Sequence, residues 1–187
     1  MAVKNIMIVG VGGQGTLLTS RILGGITTAA GYDVKLSEVH GMSQRGGSGV
    51  TYVRYGEKVA EPIVEEGHAD VLIAFEKLEA MRYAHFLKKD GVIIANDQRI
   101  DPITVVTGQA EYPEHILETL SEKHKVISID AMAEAKKLGN PKVFNTIIIG
   151  VAAKHMDFDH DKWVEVIKAT VPPKTVEMNL KAFEVGY

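Results

Sequence analysis

A glycine-rich turn between a predicted strand and a predicted helix constrains this chain more than any other feature. Residues 4–9 are mostly apolar and predict a strand, and residues 14–30 carry apolar side chains at helical spacing. The letters GVGGQG, residues 10–15, join the two, and Gly31 follows the helix as a C-terminal cap. Because glycine adopts backbone conformations that other residues avoid, such a run lets a strand turn directly into a helix. This unit predicts an α/β fold.

Short β-branched runs and helical patterns alternate along the rest of the chain. Residues 50–55 and 58–60 flank Gly56 and Glu57, which predicts a β-hairpin. This alternation predicts one three-layer α/β/α domain spanning residues 1–187, with a mostly parallel sheet that the hairpin makes mixed. The other predicted elements are strands at 34–37, 70–75, 91–95, 103–106 and 126–129, and helices at 76–87, 115–123, 131–138, 145–154, 160–168 (capped by Asp159) and 175–185.

Composition excludes several classes of function. The 187 residues carry 24 acidic and 21 basic side chains, a net charge of −3, which does not favour a nucleic-acid or membrane-surface partner. No apolar run approaches the roughly twenty residues that cross a bilayer, and the N-terminus lacks a signal-peptide pattern, so we predict a cytoplasmic protein. The chain has no cysteine, which excludes disulfides and thiolate ligation of zinc or of an iron–sulfur cluster by this chain.

The first glycine segment, residues 10–15, matches the phosphate-binding fingerprint G-x-G-x-x-G. Backbone amides at a helix start attract anions, and the helix dipole adds to that attraction. Gly13 adds a fourth glycine, Gln14 places a polar side chain at the mouth, and Glu38 follows the second predicted strand, where a dinucleotide fold keeps an acid for the ribose. Two interpretations remain open, an anion or nucleotide site and a tight strand–helix junction without a ligand.

The second glycine segment, EVHGMSQRGGSG at residues 38–49, is too polar and too rich in glycine for a core. It leaves the carboxyl end of the second predicted strand, where open α/β sheets bind ligands, so we expect it to meet the first segment. Arg45 brings a fork that suits phosphate or carboxylate, although a mobile surface loop is the alternative. The candidate ligand- or anion-binding residues are Gly10, Gly12, Gly13, Gln14, Gly15, Glu38, His40, Gly41, Ser43, Gln44, Arg45, Gly46 and Gly47.

Other polar residues receive structural interpretations, and no catalytic or metal-ligating residue is assigned to the chain. Glu76 begins a helix after a buried strand, where it either complements the helix dipole or lines the ligand crevice. Asn145 is predicted to cap the apolar helix that follows it, and Asn179 to be structural. The run HMDFDHD, residues 155–161, has no histidine pair at helical i, i+4 spacing, so a helix end and an N-cap explain it better than a metal site.

Several segments together resemble one enzyme family. They are GVGGQG, EVHGMSQRGG, the pair Val53–Arg54, ADVLIAFEKLEAMR at 69–82, FNTIIIGVAAK at 144–154 and KTVEMNLKAFEVGY at 174–187. The chain resembles the gamma subunits of the 2-oxoacid:ferredoxin oxidoreductases over nearly its whole length. The histidine form of the second segment is most similar to the beta subunit of indolepyruvate:ferredoxin oxidoreductases.

The resemblance implies oxidative decarboxylation of a 2-oxo acid to an acyl-coenzyme A, with thiamine diphosphate, magnesium and iron–sulfur clusters as cofactors and ferredoxin as the electron acceptor. This chain lacks cysteine, and it also lacks the GDG-then-asparagine pattern that holds thiamine diphosphate through magnesium. The resemblance therefore places these cofactors on a larger partner subunit and leaves coenzyme A as a ligand that the glycine segments could contact. A stand-alone NAD-type dehydrogenase, with His40 as its one obvious acid–base residue, and a non-catalytic nucleotide-binding module are the alternatives.

Overall fold

The computed structural model describes residues 2–40 and 47–187, with the backbone alone for His40. Its centre is a six-stranded sheet with the order β2-β3-β1-β4-β5-β6. β1, β4, β5 and β6 are parallel neighbours, whereas β3 runs antiparallel to both β1 and β2. The mixed, mostly parallel sheet is confirmed. The strands are β1 (Lys4–Val11), β2 (Asp33–His40), β3 (Ser48–Gly56), β4 (Ala69–Ala74), β5 (Leu87–Asn96) and β6 (Lys125–Ile129).

Helices cover both faces of this sheet, which confirms the three-layer architecture. On one face, Ile8 and Ile73 pack with α1, α5, α6, α7 and α8; on the other, Val9 and Leu72 pack with α2 and α4. Adjacent residues of a strand point to opposite faces, so the middle portions of the central strands are apolar and buried on both sides. The helices are α1 (Thr16–Ala29), α2 (Lys77–Tyr83), α3 (Ile103–Val106), α4 (Ile116–Ser121), α5 (Ala131–Lys137), α6 (Phe144–Ala153), α7 (His160–Thr170) and α8 (Val176–Gly186).

The predicted hairpin is wrong, because β3 does not pair with residues 58–60. β3 pairs with β2 from Asp33↔Gly56 to His40↔Gly49, so the hairpin connection falls in the second glycine segment, and residues 57–68 form neither strand nor helix. Apolar pairs such as Leu36↔Val53 favour this longer ladder, while residues 58–60 offer only a short run. The backbone there is held instead by Asp33, whose Oδ2 accepts a hydrogen bond from the Val59 amide at 2.7 Å.

The predicted strand at 103–106 is also wrong, because these residues form the short helix α3. Pro102 precedes it, and the amides of Val106 and Thr107 donate to the carbonyls of Pro102 and Ile103. Ile103 and Val106 are 72% and 68% exposed, so they do not pack on a sheet face, where β-branched side chains are favoured.

α6 and α8 cross at two glycines. A Cβ atom on Gly150 would lie 2.3 Å from the Phe183 carbonyl oxygen, and one on Gly186 would lie 2.0 Å from the Ile147 carbonyl oxygen. All ten residues of α6 are buried, and the two glycines let α6 and α8 approach each other closely within the helix layer. Of the helices that the structure describes, none has both the length and the apolar character needed to cross a bilayer.

His160 makes the α7–α8 contact sensitive to pH. Its Nε2 donates to Glu184 Oε1 at 2.7 Å, and this hydrogen bond, with help from Asp161, raises the pKa of His160 above 6.5. A histidine pKa raised by folding adds stability below the unfolded pKa and loses it as pH rises through the folded pKa. We therefore expect the free energy of unfolding of the wild type, relative to His160→Ala, to fall between about pH 6 and about pH 8. Denaturant titrations across that range measure it. Glu184→Gln should reduce this pH-dependent step to the part that Asp161 supplies, and a step of undiminished size in Glu184→Gln would contradict the assignment.

Candidate functional site

The first glycine segment turns from β1 into α1 and is braced by its own glutamine. Gly13 and Gly15 have φ angles of 92° and 88°, in the left-handed region that favours glycine, and Gly15 is the N-cap of α1. Gln14 Oε1 accepts from the Val11 amide at 2.7 Å, and Nε2 donates to the Phe75 carbonyl at 3.0 Å. The Gln14 side chain is thus used to hold the turn, and it is only 7% exposed at the mouth.

An amide cluster ties this turn to the neighbouring strands. Asn96 Nδ2 donates to the same Phe75 carbonyl at 3.1 Å and to Gln98 Oε1 at 3.0 Å, while Gln14 Nε2 reaches Gln98 Oε1 at 3.3 Å. Asn96 Oδ1 accepts from the Ala131 amide at the start of α5. The carboxyl ends of β1, β4 and β5 are therefore linked by a network of hydrogen bonds, which makes the edge that carries the first glycine segment rigid.

The two glycine segments meet. The Gly12 amide donates to the Gly47 carbonyl at 3.0 Å, and the β1–β3 ladder pairs Gly10 with Gly49 and Val11 with Ser48. His40 ends β2 opposite Gly49. Of the predicted site residues, Gly41, Ser43, Gln44, Arg45, Gly46 and the side chain of His40 lie outside the described residues, so their ligand-binding role stays a prediction.

The N-terminus of α1 presents backbone donors that have no partner among the described residues. Hydrogen bonds within the described ranges, 2–40 and 47–187, leave five amides unused, and the first turn of this 14-residue helix holds no acidic side chain. Such a helix end is a favourable place for an anion. The five amides belong to Gly13, Gly15, Thr16, Leu17 and Leu18.

Asn145 lies against this turn and does not cap α6, whose N-cap is Val143. Its Oδ1 accepts from the Thr146 amide at 2.8 Å, and its Nδ2 stands 2.4 Å from the point where a Cβ on Gly15 would be. Asn145 is only 5% exposed. The predicted cap is therefore wrong, because α6 begins one residue before Asn145 and its first turn packs on the glycine turn.

Glu38 does not occupy the place that a dinucleotide fold requires. It lies on β2, and β3 separates β2 from β1, so two strand spacings, about 10 Å, separate it from the line of β1. Ser20 Oγ donates to Glu38 Oε1 at 2.9 Å, which joins β2 to α1. The inserted antiparallel strand argues against NAD binding in the usual manner, where the second strand pairs directly with the first.

Two buried carboxylates hold the opposite side of the same sheet edge. Glu76 caps α2 through the Glu79 amide at 3.0 Å, and it also accepts from the Ile100 amide and the Tyr112 hydroxyl. Its carboxylate is used in the structure and does not line an open crevice, since Glu76 is 1% exposed. Of the two interpretations of Glu76, the geometry favours the helix cap.

Glu79 anchors the beginning of β3. Ser48 Oγ donates to Glu79 Oε2, and Arg82 Nη1 lies 3.2 Å from Glu79 Oε1. Burial raises the pKa of Glu79, with the nearby Glu76 adding to it, while Ser48 and Arg82 act in the opposite direction. Sequence spacing did not indicate this contact, because Ser48 and Glu79 are 31 residues apart and meet only through the sheet.

Among residues 2–40 and 47–187, no three His, Asp or Glu side chains are grouped to hold a metal ion. What the sheet edge offers is a set of backbone amides, the buried carboxamide of Asn145 beside them, and two glycine segments in contact. This arrangement suits recognition of an anionic group.

Comparison with known proteins identifies the family. The pyruvate ferredoxin/flavodoxin oxidoreductase family matches residues 5–187. Indolepyruvate oxidoreductase subunit IorB of Pyrococcus horikoshii is 44% identical over 190 residues, which cover 97% of this chain and 93% of that one.

Two solved structures share the fold. The gamma subunit of a keto/oxoacid ferredoxin oxidoreductase from Geobacter sulfurreducens superposes with a TM-score of 0.72 at 22% identity, covering 98% of this chain and 95% of that one. The 2-oxoglutarate:ferredoxin oxidoreductase of Magnetococcus marinus, solved with 2-oxoglutarate, coenzyme A and succinyl-CoA bound, gives 0.75 at 18% identity, covering 100% of this chain and 30% of that one. By sequence and by fold, the chain belongs to the pyruvate ferredoxin/flavodoxin oxidoreductase family.

Proposed function

We propose that this chain is the small, gamma-type subunit of a 2-oxoacid:ferredoxin oxidoreductase whose substrate is indolepyruvate or a related arylpyruvate. The observation that carries the proposal is the 44% identity, across almost the full length of both chains, to a protein named as an indolepyruvate oxidoreductase subunit. The complex would convert the 2-oxo acid to an acyl-coenzyme A and pass the electrons to ferredoxin.

The chain's own residues support a division of labour between subunits. With no cysteine in 187 residues, it has no thiolates to ligate an iron–sulfur cluster, and it lacks the GDG-then-asparagine motif. We therefore assign thiamine diphosphate, magnesium and the clusters to a large partner subunit, where they supply decarboxylation and electron transfer. The chain corresponds to 30% of the length of the M. marinus protein, which fits one unit of a larger assembly.

The glycine segments give this subunit its part in the reaction. We assign them to an anionic, phosphate-bearing ligand at the junction with the partner, and coenzyme A is the ligand of that class that the reaction requires. The unused amides at the α1 N-terminus support this assignment, and so does the contact between Gly12 and Gly47, which holds the second segment beside them. A stand-alone NAD-dependent dehydrogenase is disfavoured, because β3 separates Glu38 from β1.

Reconstitution tests the proposal. The purified chain alone should show no visible absorbance and no 2-oxo-acid-dependent dye reduction. Adding the large subunit should restore reduction of ferredoxin or a dye, with indolepyruvate preferred over pyruvate and 2-oxoglutarate. Turnover of any substrate with NAD by the chain alone would refute the proposal, as would a large subunit that is fully active without it.

Arg45 is the cation of the second glycine segment, and we expect its truncation to weaken the reconstituted enzyme. If its fork binds an anion in a partly desolvated site, Arg45→Ala should cost on the order of 1.5–3 kcal/mol, or roughly ten- to a hundredfold in rate or in coenzyme A affinity. Arg45→Lys should recover part of the loss, because lysine keeps the charge but lacks the fork.

The measurement is the rate of dye reduction across a range of coenzyme A concentrations. Arg21→Ala is the matched control, since Arg21 is exposed on α1 outside both glycine segments. If Arg45→Ala leaves the rate, the coenzyme A dependence and the subunit affinity unchanged, the second segment has no ligand-binding role.

A further inference from the structure

The carboxamide of Asn145 is a buried donor that lacks an acceptor. Its Oδ1 is committed to Thr146, accepting from the backbone amide at 2.8 Å. Because one end of the amide is fixed in this way, the Nδ2 end must face the glycine turn, where it stands beside Gly15. It finds no acceptor in the described part of the chain, so water or a ligand has to supply one.

This donor is held in place and yet accessible. Thr146 Oγ1 donates to Asn179 Oδ1 at 2.6 Å, and Asn179 Nδ2 donates to the Thr175 carbonyl at 2.9 Å. Thr146, whose backbone amide holds the Asn145 carboxamide, therefore lies in a chain of hydrogen bonds from α6 to α8. In the described residues, only Trp163 Nε1 is both fully enclosed and without a partner. Asn145 Nδ2 therefore keeps a small contact with solvent, through which a ligand can reach it, although the residue is 5% exposed.

The donors next to it point to the class of ligand. The amides of Gly13, Gly15 and the first turn of α1 are unused within the described residues, and the first turn carries no acidic side chain. A tetrahedral anion with several acceptor oxygens can satisfy converging N–H groups without a cation, and the positive end of a helix dipole favours it.

We propose that Asn145 completes a phosphate-binding site at the N-terminus of α1, with its Nδ2 as a side-chain donor beside the backbone amides. The site takes a phosphate group, either as part of coenzyme A or as free phosphate. This inference rests on the ligand-binding role proposed above for the first glycine segment. It adds a residue about 130 positions away, and it assigns Asn145 to binding and not to capping α6.

Titration of the full-length chain, followed by NMR of its backbone and side-chain amides, tests the site without reference to activity. The probes are inorganic phosphate, coenzyme A and pantetheine, which carries no phosphate. We expect phosphate and coenzyme A to shift the side-chain amide of Asn145 and the amides of Gly13, Gly15 and Thr16, and pantetheine to shift none of them. Tighter binding of coenzyme A identifies it as the source of the phosphate, and equal binding identifies free phosphate. Shifts confined to other residues would overturn the proposal.

Two matched variants separate binding from stability. Asn145→Asp keeps the acceptor for the Thr146 amide and replaces the donor with a negative oxygen, so phosphate affinity should fall by about tenfold or more. Asn179→Asp makes the same chemical change in the same hydrogen-bond chain, on the side away from the turn, and should leave affinity within about twofold. Equal affinity in wild type and Asn145→Asp would refute the assignment. If Asn145→Asp does not fold, the wild-type side-chain shifts decide.

Loss of phosphate binding and loss of the proposed function are distinguishable. Phosphate binding by the chain alone, with no activity after addition of a large subunit, would leave the site standing and refute the subunit assignment. Activity on reconstitution without shifts at Asn145 would leave the subunit assignment standing and refute the phosphate site.

Discussion

Replacement of Gly150 by valine should lower the melting temperature by roughly 6–12 °C, which corresponds to about 3 kcal/mol in a domain of this size. A side chain at this position meets backbone and not the movable end of another side chain. The added Cβ would lie 2.3 Å from the Phe183 carbonyl oxygen and 2.8 Å from the Tyr187 amide nitrogen. α6 and α8 would have to separate, and α6 is buried along all of its ten residues.

Gly24→Ala is the matched control for this variant. Gly24 is also inside a helix, but its added Cβ would meet the flexible end of Leu36 at 3.1 Å. Alanine should therefore gain up to about 1 kcal/mol of helix propensity there at little steric cost. Thermal unfolding followed by circular dichroism measures both variants. A Gly150→Val protein as stable as Gly24→Ala would show that α6 and α8 do not cross in close contact.

Replacement of Gly15 by alanine should destabilise the chain by about 2–5 kcal/mol. The φ of 88° accounts for about 1–2 kcal/mol, because an L side chain is strained in that region. The remainder, about 1–3 kcal/mol, comes from the contact at 2.4 Å with Asn145 Nδ2, whose carboxamide is held by Thr146 and cannot move cheaply.

A denaturant titration of Gly13→Ala separates the backbone strain from the contact with Asn145. Gly13 has a φ of 92°, but an added Cβ there would meet nothing within 4 Å, so only the backbone strain should appear. Gly15→Ala should cost more than Gly13→Ala, and adding Asn145→Ala should recover part of the difference. Equal losses in the two single variants would mean that Asn145 does not pack on the turn.

The sequence predicted the parts of the fold whose environment is local or uniform. β4 and the 91–95 portion of β5 were found because strand segments buried on both faces are almost continuously apolar, and α1 because its glycine turn and its Gly31 cap are short-range signals. The strand predicted at residues 103–106 was wrong because a β-branched run resembles a strand, and the sequence does not show whether a sheet edge is available to pair with it. The partner of β3 was missed because strand pairing depends on residues far apart in the chain.

The candidate site shows the same difference between local signals and long-range contacts. Glycine spacing indicated residues 10–15 and 47, which the structure brings together through the Gly12–Gly47 hydrogen bond. Asn145 and Glu79 were not recognised as parts of this sheet edge. Each lies on a helix that packs against the edge, and its neighbours there come from distant parts of the sequence. A buried asparagine in an otherwise apolar helix was the one available signal, and it was assigned to capping.

The pairing of β1 with β3 has a consequence for how relatives of this chain can vary. Ser48 reaches Glu79 because it stands opposite Val11 in the ladder, and side chains alternate between faces at every step along a strand. One residue inserted within β3 would leave the sequences of both glycine segments unchanged. It would nevertheless turn Ser48 to the sheet face that carries α1, away from Glu79. We therefore expect relatives with this arrangement to keep, along with the glycines, the parity of the separation between Ser48 and Gly56 at the end of β3, which is eight positions here. Chains that keep the motif but change this count from even to odd should be expected to have lost the arrangement.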